Sequence, residues 1–201
     1  MLQRSEEWLE IRRGRFTASD IYRLLGEDGL KKTEQSIDNF ALEKAIEQVY
    51  GIDDDGFFIS MDMQKGIDRE PLAFECFKQK KALEFLTVEP CFFYQYGDHA
   101  GASPDGIVSD GSVLEIKCPK KKTFFEVVRT NYIDPKYMAQ MQMQMLCTGL
   151  KQSYYFNYII IGGKEYHHEI VVKRDDGFIG FMEERILKAI ELKKEIIDQI
   201  K

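Results

Sequence analysis

The spacing of apolar residues predicts a chain rich in amphipathic helices. In residues 36–50, Ile37, Phe40 and Ile46 recur at near-helical spacing. Gly51 follows and is expected to end that helix. Further helices are predicted, in chain order, over residues 5–12, 17–25, 61–83, 122–131, 135–148 and 176–200.

Local signals refine two of these helices. Residues 17–20, Thr-Ala-Ser-Asp, match a capping box and predict the start of the helix at 17–25. Pro71 lies within the pattern at 61–83, where a proline is expected to kink the helix or to start a new one.

Shorter apolar runs between the helices predict a β-sheet. Strands are expected at residues 91–96, 105–108, 112–118, 153–161 and 166–172, the last two joined by a turn at Gly162-Gly163. Interleaved helices and strands are typical of an α/β protein with a mixed central sheet flanked by helices. No linker or repeat interrupts the pattern, so we expect a single domain over residues 1–201.

The charged residues of strand 112–118 stand out from this pattern. Glu115 and Lys117 are two apart in an apolar run, so they leave the same face of the strand. Asp105, in the preceding Ser-Pro-Asp-Gly turn, could reach that face. Two carboxylates and an ammonium suit a hard divalent cation and a phosphodiester. The alternative is an exposed hairpin face with an ordinary cross-strand ion pair.

Composition and charge leave this interpretation open. The chain has 201 residues, 44% hydrophobic and 31% charged, with a net charge of −6. An acidic total argues against nucleic-acid binding, but the positive residues cluster near the N-terminus, at 78–81 and at 117–122. No apolar run approaches the roughly 18–20 residues of a membrane span. The four cysteines are widely spaced and no secretory signal precedes them, so we expect reduced thiols in a cytoplasmic protein.

Five sequence blocks, in this order, resemble the lambda-exonuclease and YqaJ-type viral recombinase family of the PD-(D/E)xK nuclease superfamily. They are Trp8 with residues 11–19, Gly66-x-x-x-Glu70, and residues 102–106, 114–119 and 137–142. The resemblance covers most of the chain, and the order of the blocks makes it more specific than any single motif. It implies a restriction-endonuclease-like core.

The resemblance also implies an activity and partners. Members of this family are Mg²⁺-dependent exonucleases that digest one strand of duplex DNA from its 5′ end. They release mononucleotides, leave a 3′ single-stranded tail and act with a single-strand annealing recombinase. We therefore expect a phage or prophage enzyme in the bacterial cytoplasm that uses one or two Mg²⁺ ions, with Mn²⁺ as a substitute. The homotrimeric ring expected for it rests on the resemblance alone.

The family pattern assigns roles at the catalytic centre. Asp105, Glu115 and the main-chain carbonyl of Ile116 are expected to bind metal, and Lys117 to contact the attacking water. Glu70 is expected to reach the site directly or through a water, although Pro71 beside it departs from the family pattern.

The helix at 135–148 is expected to line the same site. Tyr137, Gln140 and Gln144 share one helical face, while Gln142 points elsewhere. Tyr137 and Gln140 are the predicted site residues, against the alternative that the Met-Gln run only fills the core.

A pocket for the terminal 5′ phosphate is predicted beside the catalytic centre. Its residues under the family pattern are Arg12, Thr17, Ser19 and Ser103, with Met63 prying apart the end base pair. A helix start at Thr17 would add free N–H groups and a positive dipole end. The alternative role for Thr17 and Ser19 is helix capping.

Two other functions remain open at this point. The same core could belong to an endonuclease of restriction or repair type. It could also belong to a catalytically inert DNA-binding subunit, although the presence of Glu70, Asp105, Glu115 and Lys117 argues against that.

Overall fold

Helices and strands follow one another in the mixed order that the apolar pattern predicts. The computed structural model describes residues 5–25, 34–51 and 61–201. The strands are β1 (Phe16–Thr17), β2 (Val88–Glu89), β3 (Tyr94–Tyr96), β4 (Ala100–Ala102), β5 (Gly106–Val108), β6 (Ser112–Lys117), β7 (Gln152–Ile161) and β8 (Lys164–Lys173). The helices are α1 (Glu6–Arg12), α2 (Glu34–Tyr50), α3 (Met61–Leu83), α4 (Lys121–Thr130), α5 (Pro135–Thr148) and α6 (Asp176–Ile200).

The strand with Glu115 and Lys117, β6, is the central strand of a five-stranded sheet. The strand order is β2-β5-β6-β7-β8. β6 pairs antiparallel with β5 and parallel with β7, while the outer pairs are antiparallel, so the sheet is mixed as predicted. The parallel pairing needs a crossover, which α4 and α5 supply.

The two faces of β6 have different roles. Leu114 and Ile116 face the apolar cluster that contains Phe77 of α3. Val113 faces the opposite cluster, together with Met141 of α5. Because side chains alternate along a strand, Glu115 and Lys117 leave β6 on the side of α5. The catalytic candidates therefore lie between the sheet and this helix.

A second, three-stranded sheet joins the N-terminal segment to the rest of the molecule. Its order is β1-β4-β3, with Phe16 and Thr17 of β1 parallel to β4. The apolar cluster beside it combines Phe16 with residues of α2, α5 and α6. This packing fixes the position of the segment that carries Arg12, Thr17 and Ser19.

The helix predicted over residues 17–25 is wrong. Thr17 belongs to β1, and only Ile21–Leu24 form a short 3₁₀ helix. The predicted capping box does not form either, because the Thr17 hydroxyl donates to Asp20 Oδ2 at 3.1 Å. Pairing of Phe16 and Thr17 with β4 overrides the local helix signal.

The strand predicted at 91–96 is shorter than expected, since only Tyr94–Tyr96 pair with β4. The other predicted helices and strands are confirmed within one or two residues of their expected ends. α3 continues through Pro71, so no new helix starts there. None of the described helices has the length and apolar character that crossing a bilayer requires.

Candidate active site

Asp105 is held against β6 by two main-chain contacts. Its N–H donates to the carbonyl of Leu114 at 3.0 Å. Its carboxylate oxygen Oδ2 accepts the N–H of Ile116 at 2.6 Å. The residue that follows, Gly106, pairs with Leu114 in the β5–β6 ladder. The turn therefore presents the Asp105 carboxylate beside the residues that flank Ile116, which are Glu115 and Lys117.

Glu115 and Lys117 form an ion pair on the α5 side of β6. The ammonium of Lys117 donates to Oε1 of Glu115. Glu115 is only 2% exposed, whereas the side chain of Lys117 is 23% exposed. The carboxylate is thus buried at the floor of the site, and the ammonium reaches toward solvent.

The face of α5 that carries Tyr137 and Gln140 covers this pair. Gln140 Oε1 accepts a hydrogen bond from Lys117 Nζ at 3.3 Å. Lys117 Nζ also lies 4.6 Å from the centre of the Tyr137 ring. Both predicted helix residues therefore contact the predicted catalytic lysine. Gln144, one turn further along, donates from Nε2 to Oε2 of Glu115 and was not among the predicted site residues.

The acids of the site repel one another. Burial raises the pKa of Asp105 well above its usual value, and the charges of Glu115 and Glu70 raise it further. Burial alone would lower the pKa of Lys117, but Glu115 and Asp105 outweigh burial and raise it. Glu70 of α3 is therefore close enough to act on Asp105 electrostatically. Such a concentration of negative charge favours a cation.

The donor set fits a magnesium ion. No three acidic, histidine or cysteine side chains in the described ranges come close enough to hold one ion together. Mg²⁺ in proteins commonly takes only one or two carboxylates and keeps several waters or substrate oxygens. Asp105 and Glu115, with the carbonyl of Ile116 between Glu115 and Lys117, meet that requirement. Glu70 adds its negative charge to the same site.

The four residues predicted for the phosphate pocket also come together. Arg12 Nη2 donates to the hydroxyls of Thr17 at 3.2 Å and Ser19 at 3.1 Å. The guanidinium lies 4.1 Å from the centre of the Trp8 ring. Trp8 Nε1 in turn donates to the hydroxyl of Ser103 at 3.0 Å. A cation, an indole and three hydroxyl groups thus form one connected cluster.

Two features of this pocket differ from expectation. No helix starts at Thr17, so no dipole end contributes there. Asp20, predicted only as part of a cap, places its carboxylate against Thr17 and Ser19.

Burial lowers the pKa of Arg12 to about 10, while Asp20 and Glu47 act in the opposite direction. Arg12 therefore remains charged at neutral pH. The side chain of Met63 lies outside the described residues.

Comparisons with known proteins identify the family of this chain. The sequence profile of the YqaJ-like viral recombinase domain matches residues 7–151. The chain belongs to this family. The matched range contains the residues of the candidate active site and of the predicted phosphate pocket. The resemblance to lambda-exonuclease and YqaJ-type nucleases is therefore confirmed.

Solved structures of exonucleases are also similar to this chain. An alkaline exonuclease, LHK-Exo from Laribacter hongkongensis, has 29% sequence identity and a TM-score of 0.79, covering 96% of this chain and 94% of its own. LHK-Exo in complex with dAMP gives a TM-score of 0.78 at 29% identity, with the same coverage of 96% and 94%. A phage-related exonuclease from Haemophilus somnus 129PT has 14% identity and a TM-score of 0.68, covering 96% and 99%, and this likeness shows the fold alone. No curated protein matches the sequence significantly.

Family membership and the likeness to LHK-Exo support a nuclease function for this chain. Its fold is the mixed α/β fold of these exonucleases.

Proposed function

We propose that this protein is a Mg²⁺-dependent 5′-to-3′ exonuclease on double-stranded DNA. It releases 5′-mononucleotides and leaves 3′ single-stranded tails for phage-type recombination by strand annealing. The observation that carries the proposal is the short connection between an Asp105–Glu115–Lys117 cluster and an Arg12-centred anion pocket. A nuclease that recognises a 5′ end needs both elements side by side.

The catalytic half of the proposal assigns roles to the residues of the cluster. Asp105, Glu115 and the carbonyl of Ile116 would hold Mg²⁺, with Glu70 supporting it through a water. A bound Mg²⁺ would polarise the phosphoryl oxygen and lower the pKa of a coordinated water. Lys117, kept in place by Glu115 and Gln140, orients the attacking water and offsets negative charge in the transition state.

The pocket half of the proposal explains why digestion would start at an end. Arg12 offers a planar guanidinium, and Thr17, Ser19 and Ser103 offer hydroxyl groups, which together suit a terminal phosphate. Ser103 is two residues before Asp105, so their Cα atoms lie at most about 7 Å apart. A phosphate bound near Ser103 would leave the next phosphodiester close to the catalytic carboxylates, which favours mononucleotide products. The complex of LHK-Exo with dAMP, a mononucleotide, supports the same product size.

The proposal extends to assembly and partners. A chain of this length has a radius of gyration near ~16 Å and cannot enclose a duplex alone. We propose a ring of three subunits around the DNA, because cyclic assembly needs only one interface, repeated around an axis. The partner would be a single-strand annealing recombinase that receives the 3′ tail.

A time course on linear duplex DNA tests the enzymatic proposal. Substrates with matched 5′-phosphate and 5′-hydroxyl ends are digested in Mg²⁺ and in chelator, beside a closed circular duplex. We expect mononucleotides from the phosphorylated ends, intact circles and no reaction in chelator. Asp105→Ala should be inactive, whereas Asp98→Asn, at an exposed position that belongs to neither cluster, serves as the control.

The other outcomes separate the alternatives. Cleaved circles would identify an endonuclease. DNA binding without hydrolysis, unchanged by Asp105→Ala, would identify an inert DNA-binding subunit. Hydrolysis that continues in chelator would refute the metal-dependent mechanism.

A further inference from the structure

Two glutamines of α5 contact two different residues of β6. Gln140 accepts from Lys117, and Gln144, one helical turn later, donates to Glu115. Four helical residues advance about 6 Å along the axis. Two strand residues advance about 6.7 Å. The spacing of the glutamines therefore matches the spacing of the charged pair, and each charged residue has its own amide.

The contact of Gln144 fixes the carboxylate of Glu115 without adding charge. Gln144 is fully buried, and its Nε2 meets Oε2 of Glu115, while Lys117 contacts Oε1. An ionised carboxylate only accepts hydrogen bonds, so the amide nitrogen of Gln144 must be the group that faces it. Each carboxylate oxygen can accept at two positions. Both oxygens of Glu115 are therefore oriented, and each keeps one position for another ligand.

The other end of Gln144 argues against a purely structural role. Its Oε1 is buried and has no hydrogen-bond partner in the part of the chain that the structure describes. Burying an unpaired carbonyl costs free energy, which a methionine of similar volume would avoid. α5 already carries methionines at Met141, Met143 and Met145. The contact that a glutamine makes here and a methionine cannot make is the hydrogen bond to Glu115, so the reason for the glutamine lies in that carboxylate.

Gln142 on the same helix shows what a structural glutamine looks like here. Its Nε2 donates to the carbonyl of Lys173 at 2.9 Å, and its Oε1 accepts from the N–H of Asp175 at 2.9 Å. Both ends are bonded to main chain, and the side chain is 2% exposed. Gln142 thus connects α5 to the end of β8 and the start of α6. Its amide bonds to main chain and not to Glu115, so Gln142 provides a matched control.

We propose that Gln144 is the positioning residue of Glu115, holding this carboxylate in the orientation that binds the divalent cation. The inference rests on the proposed function, since it requires Glu115 to be a metal ligand. Contacts of this kind to a metal ligand commonly change metal affinity by about 10- to 100-fold when they are removed. Gln144 acts through Glu115 and touches neither DNA nor the attacking water.

Metal titration of Gln144→Met and Gln142→Met tests the inference. Mg²⁺ and Mn²⁺ binding is measured by calorimetry without DNA, and melting temperature is measured in chelator and in saturating Mg²⁺. For Gln144→Met we expect affinity to fall about 10-fold or more. Its melting temperature in chelator should fall, because Oε2 of the buried Glu115 loses its donor, and its turnover should recover at high Mg²⁺. For Gln142→Met we expect a lower melting temperature with unchanged metal affinity.

The outcomes distinguish this inference from the proposed function. If the wild-type protein binds metal and Gln144→Met binds it within twofold of wild type, Gln144 does not position Glu115, and the proposed function is unaffected. If the wild-type protein takes up neither Mg²⁺ nor Mn²⁺, the proposed function itself fails. Should Gln144→Met not fold, Gln144→Asn, which withdraws the amide by one methylene, is judged by the same criteria.

Discussion

Removal of the Lys117 ammonium tests whether charge determines the arrangement of the candidate active site. Lys117→Met keeps the length of the side chain but leaves Glu115, which is 2% exposed, without its cation. Breaking a buried ion pair from one side costs about 3–5 kcal/mol. The partial exposure of Lys117 and the remaining bond from Gln144 to Glu115 reduce this to about 2–3 kcal/mol. The melting temperature should fall by about 4–12 °C, at about 2–4 °C per kcal/mol for a chain of this size.

The stability lost in Lys117→Met should depend on pH. The direction of this dependence follows from the raised pKa of Asp105. The folded-state pKa of Asp105 is raised, so ionised Asp105 destabilises the fold once pH exceeds the pKa of the unfolded chain. Lys117 opposes that rise, so its removal raises the Asp105 pKa further. The Lys117 pKa is itself raised from 10.5, and its ammonium persists at neutral pH. The deficit of Lys117→Met should therefore be small near about pH 5 and larger near about pH 8.

Urea unfolding in chelator and in saturating Mg²⁺ measures the deficit. We expect Mg²⁺ to reduce it, because a bound cation replaces the missing charge. Lys136→Met is the matched control, because Lys136 also lies beside the Tyr137 ring, at 4.7 Å, but is 44% exposed. The control should change stability by less than about 0.5 kcal/mol. A deficit that is equal at both pH values and in both metal conditions would show that packing of the lysine stem, and not charge, is responsible.

Three further changes test other parts of the structure. Asp105→Asn should abolish hydrolysis yet raise the free energy of unfolding in chelator at neutral pH, where like-charge repulsion acts; a loss of stability in urea melts would contradict the repulsion. Arg12→Lys should slow digestion of 5′-phosphate ends about 10-fold, since an ammonium cannot reproduce the guanidinium fork. Initial rates that drop equally on 5′-hydroxyl ends would argue against the pocket. Gly14→Ala should cost about 2–3 kcal/mol in urea melts, because Gly14 has φ +67° and a Cβ there would lie 2.6 Å from Gln48 Cβ; a cost near zero would mean that this turn relaxes.

The sequence was sufficient to predict four of the five strands in the sheet that carries the candidate site. The period of two in residues 112–118 correctly predicts that Glu115 and Lys117 share a face. The helix at 135–148 is also correct, because Asp134 caps its start and Gly149 ends it in the left-handed region. These elements are long enough for their apolar pattern to show. The role of each site residue stays a prediction until it is measured.

The segments that sequence reasoning missed are short or depend on distant partners. β1, β2 and β4 have only two or three residues each, too few for alternation to be read. Residues 17–20 carry a genuine helix-start signal, yet pairing of β1 with β4, more than 80 positions away, prevails. The bond from Trp8 to Ser103 likewise joins residues 95 positions apart. Gln144 had a detectable signal, since it lies four residues after Gln140 on the same face.

The connection between the predicted phosphate pocket and the candidate active site suggests how the protein could remove one nucleotide at a time. Ser103 is bonded to Trp8, which stacks on Arg12, and two residues later Asp105 is bonded to the main chain of β6. The residue between them, Pro104, is buried and has its φ angle fixed by the ring. Movement of one site relative to the other is therefore restricted to the few torsion angles between Ser103 and Asp105. Under the proposed function, the position of a bound terminal phosphate then determines which phosphodiester meets Asp105 and Glu115. The length of each step would then be set by this short segment of the protein and not by the DNA sequence.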